Sequence, residues 1–525
     1  MAAPFIPGVF PQFGSNAKGG SVFDATYPPK WVIIARQLTK LHCEYFREYF
    51  DALRARTIVV ERGYVDRDFL EDFAAYYVRC FPSYRKTCTR LHFFARPFSL
   101  RAFRRLVRGE LAPLTITQLQ QDYLGFVVVK PLPRTVIGRT CLRTYAHANG
   151  RRQFPATRDY EPNLFGVPLK VSTLAFQEQD SVVAACATSA LWSAFQSTGR
   201  LFNHPIPSPV EITKAATRGL ALASRVFPNH GLTVEEMAHA IQDVGLDALP
   251  VNVYDDATLT STLYAYLMAE IPVVLGVSLY STEAAGPARH IDDHAVTVTG
   301  FSLGKTCPAP MNGLLLEAGR IDKIYVHDDQ VGPFSRMVLD GQKVIVPQTL
   351  GAAAEERDSL HTSWRCLSLT TGAPAPCRAV PFLALLALYH KIRIPFQVIL
   401  DEVWRLDAIL RGFEVTSEPL CWDVRLMRLN ALRTEILSGT SLDPSQRQSV
   451  LARSLPRFVW RATARSGGAP MLDVIFDATD VEQGSLVLTC LEYDTTLGDA
   501  IRLIAGIPGL DWAQIGSRVM DWYRS

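Results

Sequence analysis

The 525-residue sequence lacks long hydrophobic runs, paired cysteines, a strong charge of one sign and any internal repeat. Each absence removes a class of protein. The longest apolar stretches, such as Ile271–Leu279 and Ala379–Leu388, run to about ten residues, and a membrane-crossing helix needs about twenty. No membrane segment is therefore expected. The ten cysteines are scattered, without a CxxC pair or a tight cluster, which argues against a disulfide framework and a structural zinc site. A net charge of +3 sets up no global field that would demand an acidic partner. The GxxxxGK phosphate loop and the paired glycine turns of nucleotide sites are missing, so no cofactor is expected. The opening MAAPFIPGVFPQFGSNAKGG has no basic start and no continuous apolar core. It does not read as a secretory signal, and the expected location is the cytoplasm.

What is present is the composition of a globular protein, 48% hydrophobic and 20% charged, which excludes a wholly disordered chain or a coiled coil. Length alone suggests roughly three or four domains. Residues 1–29 read as a flexible tail. Residues 30–160 read as a mainly helical region with a strand near 124–133. Its first part, residues 30–110, carries 17 Lys and Arg against 9 Asp and Glu, a net of +8. It lacks a nucleic-acid reading motif, and acids are interleaved through it. A solvated face or a docking surface for a partner protein is expected there, not nucleic acid.

Residues 165–350 give the clearest pattern. A helix is predicted to begin near Ala185. A second is predicted in GLTVEEMAHAIQDVG, with Thr233 and Glu236 as a capping box and Gly245 as its stop. Strands are predicted at 271–279, 294–301, 323–328 and 343–347. A helix followed by mostly antiparallel strands implies an α+β domain. Residues 351–525 read as a further α+β region. It opens with helical stretches at AVPFLALLALYHKI and FQVILDEVWRL and continues with strands at 457–463, 471–478 and 485–493.

Cys186 stands apart from the other cysteines. Ala187, Ala190, Leu191, Ala194 and Phe195 recur on one helical face after it, so Cys186 falls at a helix N-terminus. The free amides and dipole there favour a thiolate. A histidine is the natural partner, and His294 opens the strand-like HAVTVTGF. Asp328 ends the next strand and is placed to hold the imidazole. Gln179, seven residues before Cys186, is a candidate oxyanion donor together with the Cys186 amide.

The order of these residues, in QDSVVAACATSALW, GLTVEEMAHAIQDVGLD, DDHAVTVTGF and IYVHDDQVGPF, resembles the papain-like cysteine peptidase superfamily. It is most similar to the bacterial branch that includes bacteriocin-leader-processing peptidases. The resemblance covers about residues 165–350. It implies a papain-like fold and a peptide or protein substrate. It assigns Cys186 as nucleophile, His294 as general base and acid, Asp328 as the orienting group and Gln179 as the oxyanion donor. Three alternatives stay open: Gln177 rivals Gln179, Asp329 competes with Asp328, and Asp293 directly precedes the histidine. Ala187 stands where many members have Gly or Trp. The same triad also serves transglutaminase- or deamidase-type transfer, and a catalytically silent interaction scaffold would keep the fold. HIDDH (290–294) invites a metal reading through His290, Asp292 and His294. Its i, i+4 histidines share a face only on a helix, whereas the alternation that follows says strand, so no metal is expected.

Overall fold

The computed structural model describes residues 21–24, 41–111, 113–180, 182–218, 231–282, 288–305, 310–311, 313–347, 354–367, 374–439, 442–480 and 485–524. It mixes helix and sheet, 33% and 36% of residues respectively, in keeping with the expected α+β class. Contacts divide the chain into two units, not three or four. One holds residues 1–252, 272–302 and 323–387; the other holds 253–271, 303–322 and 388–525. Among the described residues no helix is long and apolar enough to cross a membrane.

The first unit begins with an antiparallel meander. Its strands are β1 (Ser21–Asp24), β2 (Thr57–Tyr64), β3 (Cys88–Phe94), β4 (Tyr123–Val129) and β5 (Ile137–Leu142), in that order across the sheet. Helices α1 (Leu41–Ala52), α2 (Arg67–Ala75), α3 (Leu100–Val107) and α4 (Ile116–Asp122) alternate with them along the chain. The expectation of a mainly helical region is thus corrected to a sheet interleaved with helices. TIVV in β2 and LHFF in β3 are short runs of β-branched and aromatic residues, which suit strands but are masked by the charge-rich helical stretches beside them. Most of the 1–29 tail lies outside the described residues, but residues 21–24 pair with β2 and are not a free tail.

After the meander come α5 (Cys186–Phe202), α6 (Pro209–Ala216) and α7 (Val234–Asp243). The capping box at Thr233 and Glu236 forms in both directions, and Gly245 takes the positive φ of 82° that follows the helix. The strands then follow: β6 (Asp247–Asn252), β7 (Val273–Ser281), β8 (Arg289–Leu303), β9 (Ile321–Asp328), β10 (Gly332–Val346), β11 (Glu355–Leu367) and β12 (Pro374–Leu388). Strands β7 to β12 close into a six-stranded barrel because β12 pairs with both β7 and β11, while β6 adds to the outer side of β12.

Two sequence expectations change here. The apolar run in 379–388 is a strand, not a helix. A strand paired on both sides and buried on both faces is apolar throughout, and such a run carries no periodicity to tell it from a buried helix. The boundary drawn near 350 also falls inside the barrel, since β11 and β12 supply two of its six strands. In addition, residues 303–322 belong to the second unit.

One core cluster joins the meander, the helices and the barrel near the cysteine helix. Phe94 and Tyr123 from the sheet, Leu191, Trp192 and Phe195 from α5, and Val274, Ala295 and Leu385 from the barrel all belong to it. The Thr297 hydroxyl donates to the Ala190 carbonyl at 2.7 Å, pinning α5 to β8.

The second unit has its own sheet, with β13 (Cys421–Arg428), β14 (Phe458–Ser466), β15 (Ala469–Asp477) and β16 (Val487–Glu492) running antiparallel in sequence order. The three strands predicted between 457 and 493 correspond to β14, β15 and β16. Helices α8 (Asp256–Leu267) and α9 (Phe396–Gly412) belong to this unit, and α9 agrees with the helix predicted in FQVILDEVWRL. The Tyr266 ring meets the Trp460 ring edge-on inside the unit.

Candidate active site

The start of α5 is set by the residues just before it. The Asp180 carboxylate accepts from the backbone amides of Val182 (2.9 Å) and Val183 (3.2 Å). The Thr213 hydroxyl donates to the Val183 carbonyl at 2.8 Å. Ala185 is the extended N-cap residue and offers no side-chain cap. Cys186 is therefore the first helical residue, and the opening amides of α5, which no helix can satisfy internally, have no capping side chain.

His294 lies on β8, and its side chain is buried. Its Nε2 is 3.1 Å from Asp328 Oδ1 and 3.5 Å from Asp329 Oδ1. The Cys186 side chain is near enough to act on the charge of its ring, and the two residues line one cleft. With Nε2 committed to Asp328, Nδ1 is the nitrogen left for the sulfur. Asp328 closes β9 and is held from two more sides. The Trp364 indole N–H on β11 donates to Oδ2 at 2.7 Å, and the Gln330 amide donates to Oδ1 at 3.1 Å. The Trp364 ring meets the imidazole edge-on, centroids 4.8 Å apart.

The electrostatics follow from burial and charge. Burial alone would lower the His294 pKa, but the Asp328 charge and hydrogen bond, the neighbouring Cys186 side chain and Asp329 together raise it well above the ordinary histidine value. Asp328 is held below the usual carboxylate value: burial opposes this, and His294, Trp364 and the Gln330 amide overcome it. Asp329 differs. Burial, with Asp328 and Glu178 adding to it against the pull of His294, lifts its pKa to about 7, and among the described residues neither of its oxygens has a hydrogen-bond partner. Burial pushes the thiols of Cys88 and Cys141 up to about 12 and that of Cys421 to about 11. Cys186 is half-buried and opens on a cleft.

That cleft has a volume of about 690 Å³. Cys186, His294, Gln179 and Trp364 line it, together with the acidic Asp292, Asp293 and Glu235 and the apolar Leu232, Met237, Val274 and Phe382. Phe382 reaches it through a bulge: the β7–β12 register passes from Gly276↔Leu383 to Val277↔Pro381 and leaves Phe382 unpaired. Gly276 makes room for it, since a Cβ there would sit 2.9 Å from the Phe382 ring.

Cys186, His294 and Asp328 are thus brought together. Gln179 is half-buried on the cleft, whereas Gln177 is buried and absent from the described lining. Asp328 makes the shorter contact to His294, with Asp329 behind it. Asp293 is committed to His290 and Ser278. The HIDDH segment lies in a strand, with His290 exposed and His294 buried. Among the described residues the set with metal-ligating geometry is His294, Asp328 and Asp329, whose donor atoms lie within 4.8 Å of one another.

Sequence reasoning missed three supports. Trp364 lies beyond the region of resemblance. His327 is a neutral buried imidazole, its pKa lowered by burial to about 3. Its Nδ1 accepts from the Phe334 amide and its Nε2 donates to the Leu174 carbonyl, tying β9 to the segment that carries Gln179. The His42 ring on α1 bonds the Asp329 carbonyl at 2.9 Å. The position of HD in IYVHDDQ hints at His327; nothing local signals the other two.

No protein-family model matches the sequence, and a search of curated proteins finds no match.

Proposed function

We propose that the chain is a papain-like cysteine hydrolase that cleaves an amide bond of a peptide or protein. One observation carries this reading: Cys186 and His294 line one open cleft, and buried Asp328 holds the His294 ring from behind at 3.1 Å. The packing of α5 against the antiparallel barrel strand that bears His294 supports the fold part of the reading.

All the steps use groups of this chain. The Cys186 sulfur anion, beside an imidazolium and the uncapped helix start, attacks the scissile carbonyl carbon. The carbonyl oxygen takes the negative charge, with the Cys186 backbone amide and the Gln179 side-chain amide as donors. His294 protonates the leaving nitrogen as the C–N bond breaks, which leaves a thioester. The now neutral imidazole takes a proton from water as that water attacks the thioester. Collapse of this adduct releases the acid and restores the thiolate–imidazolium pair.

Thiol labelling of the full chain tests the reading. With iodoacetamide and peptide mapping, Cys186 reacts faster than the other cysteines, its labelling persists at mildly acidic pH, and His294→Ala slows it by at least about tenfold. Labelling of Cys186 no faster than the rest defeats the hydrolase. Mass spectrometry of a turned-over peptide separates cleavage from crosslinking or deamidation.

Two variants probe individual roles. Gln179→Ala lowers kcat by about 10²–10³-fold, while Gln177→Ala does so far less; the reverse order reassigns the oxyanion donor. Trp364→Phe keeps the ring edge against His294 but removes the N–H bond to Asp328. It lowers kcat/KM by about tenfold, the worth of one hydrogen bond to a charged group, and moves the acidic limb of the pH profile upward, because Trp364 helps to hold the Asp328 value down. An unchanged profile argues that the indole only packs.

A further inference from the structure

We propose that a second cleft, behind the start of the cysteine helix, binds an acidic segment of a partner protein bearing an apolar side chain, and that the Tyr77–Asp180 hydrogen bond transmits its occupancy to Cys186. The coupling half rests on the hydrolase reading; the binding half does not.

The second cleft has a volume of about 740 Å³. Tyr76, Tyr77, Phe81 and Tyr84 line it, and so do the cations Arg79, Arg134 and Lys214. No carboxylate is among the described residues of its lining. Arg79 and Lys214 are exposed, and Arg85 and Lys86 lie exposed close by in sequence. The site therefore selects negative charge. Phe81 is wholly exposed and Val78 is more than half exposed. A small anion would pair with exposed Arg79 and Lys214 but leave these two side chains in water. A protein segment covers both, and aromatics combined with Arg are typical of interface centres.

The two clefts share a wall. The Tyr77 hydroxyl donates to the Asp180 carboxylate, at 2.8 and 2.6 Å from its two oxygens. Asp180 lines the Cys186 cleft and holds the amides of Val182 and Val183, and Val182 itself lines the second cleft. Buried Lys130 stands 3.9 Å from Asp180 on its other side. A segment that displaces Tyr77 or Val182 thus acts directly on the turn that sets the positions of Gln179 and Cys186.

The probe is a fluorescein-labelled peptide with a central Trp-Leu pair flanked by glutamates, read by fluorescence anisotropy with the full chain. Saturable binding is expected, weakened about tenfold by Arg79→Glu with Lys214→Glu and weakened again by Phe81→Ser. A peptide with lysines in place of the glutamates should not bind. No saturable binding, equal affinity in the charge-reversed variant, or displacement by ATP or pyrophosphate overturns the proposal, the last by making a small anion the occupant. For coupling, saturating peptide changes the rate of Cys186 alkylation by about fivefold. With peptide raised until anisotropy shows the variant saturated, Tyr77→Phe loses that response; a wild-type rate that peptide leaves unchanged, or a saturated variant that keeps the response, overturns the coupling. If Cys186 is unreactive in the free chain, the hydrolase reading fails, while anisotropy still decides the binding half.

Discussion

Asp328→Asn is expected to cut turnover of an amide substrate by about 10⁴-fold and to shift the alkaline limb of the pH–rate profile toward neutral pH. Burial by itself favours the neutral His294 imidazole, and Asp328 is the strongest of the groups that reverse this. Without the carboxylate, the imidazolium needed to protonate the leaving nitrogen is lost at lower pH. The sign for stability is fixed by the same two shifts. The raised His294 value gives a contribution fully present below the ordinary histidine value of 6.5 and lost as pH rises through the folded value. The lowered Asp328 value gives one present above the ordinary 3.8 and lost as pH falls through its folded value. The pair is at full strength between those limits. Steady-state kinetics from acid to alkaline pH, with urea unfolding at the same values, provide the check. A variant that keeps its turnover, or whose alkaline limb does not move, removes Asp328 from the mechanism.

Asp329→Asn is expected to do the opposite to stability. A carboxyl raised from 3.8 to about 7 in the fold binds its proton more tightly when folded. Between those values the unfolded chain has released the proton and the folded chain has not, so stability falls as pH rises. The whole shift corresponds to at most about 4 kcal/mol at 1.36 kcal/mol per unit. Asparagine removes this slope. Relative to wild type, the variant should gain stability progressively from about pH 4 to pH 7 and hold that gain above. Because the buried amide also lacks a ready partner, the slope and not the offset is the test. A wild-type-to-variant difference that is flat with pH shows that Asp329 does not titrate in this range.

The part of the site visible in the sequence was the part governed by local rules. The apolar face after Cys186 marks a helix start because helical spacing is a property of adjacent turns, and Thr233 with Glu236 marks another for the same reason. The alternation in HAVTVTGF marks a half-buried strand. Asp328 was visible because strand ends are punctuated locally by turn residues. What stayed hidden depends on distant pairing. Trp364 reaches Asp328 only because β11 sits beside β10 in a closed barrel. The helix expected in 379–388 is a strand because β7, β11 and β6 flank it, which the run of leucines and alanines does not announce. The Tyr77 anchor on Asp180 spans 103 residues, and no spacing rule reaches that far. The split between Gln179 and Gln177 was likewise beyond the sequence: backbone bonds from Phe176 to Thr140 and from Glu178 to Ile137 fix which glutamine faces the cleft.

The closure of the barrel has a consequence for biosynthesis. A nascent chain that has reached residue 350 has made Cys186, His294 and both aspartates, yet β7 and β10 still lack their outer partners. Two long strands then present unpaired backbone to the cell, the condition that favours edge-to-edge aggregation. Only after residues 355–388 emerge are these edges covered, and Trp364 arrives with them. Closure of the barrel therefore waits for the last two strands. A fragment cut at 350 would be frozen at the hazardous stage.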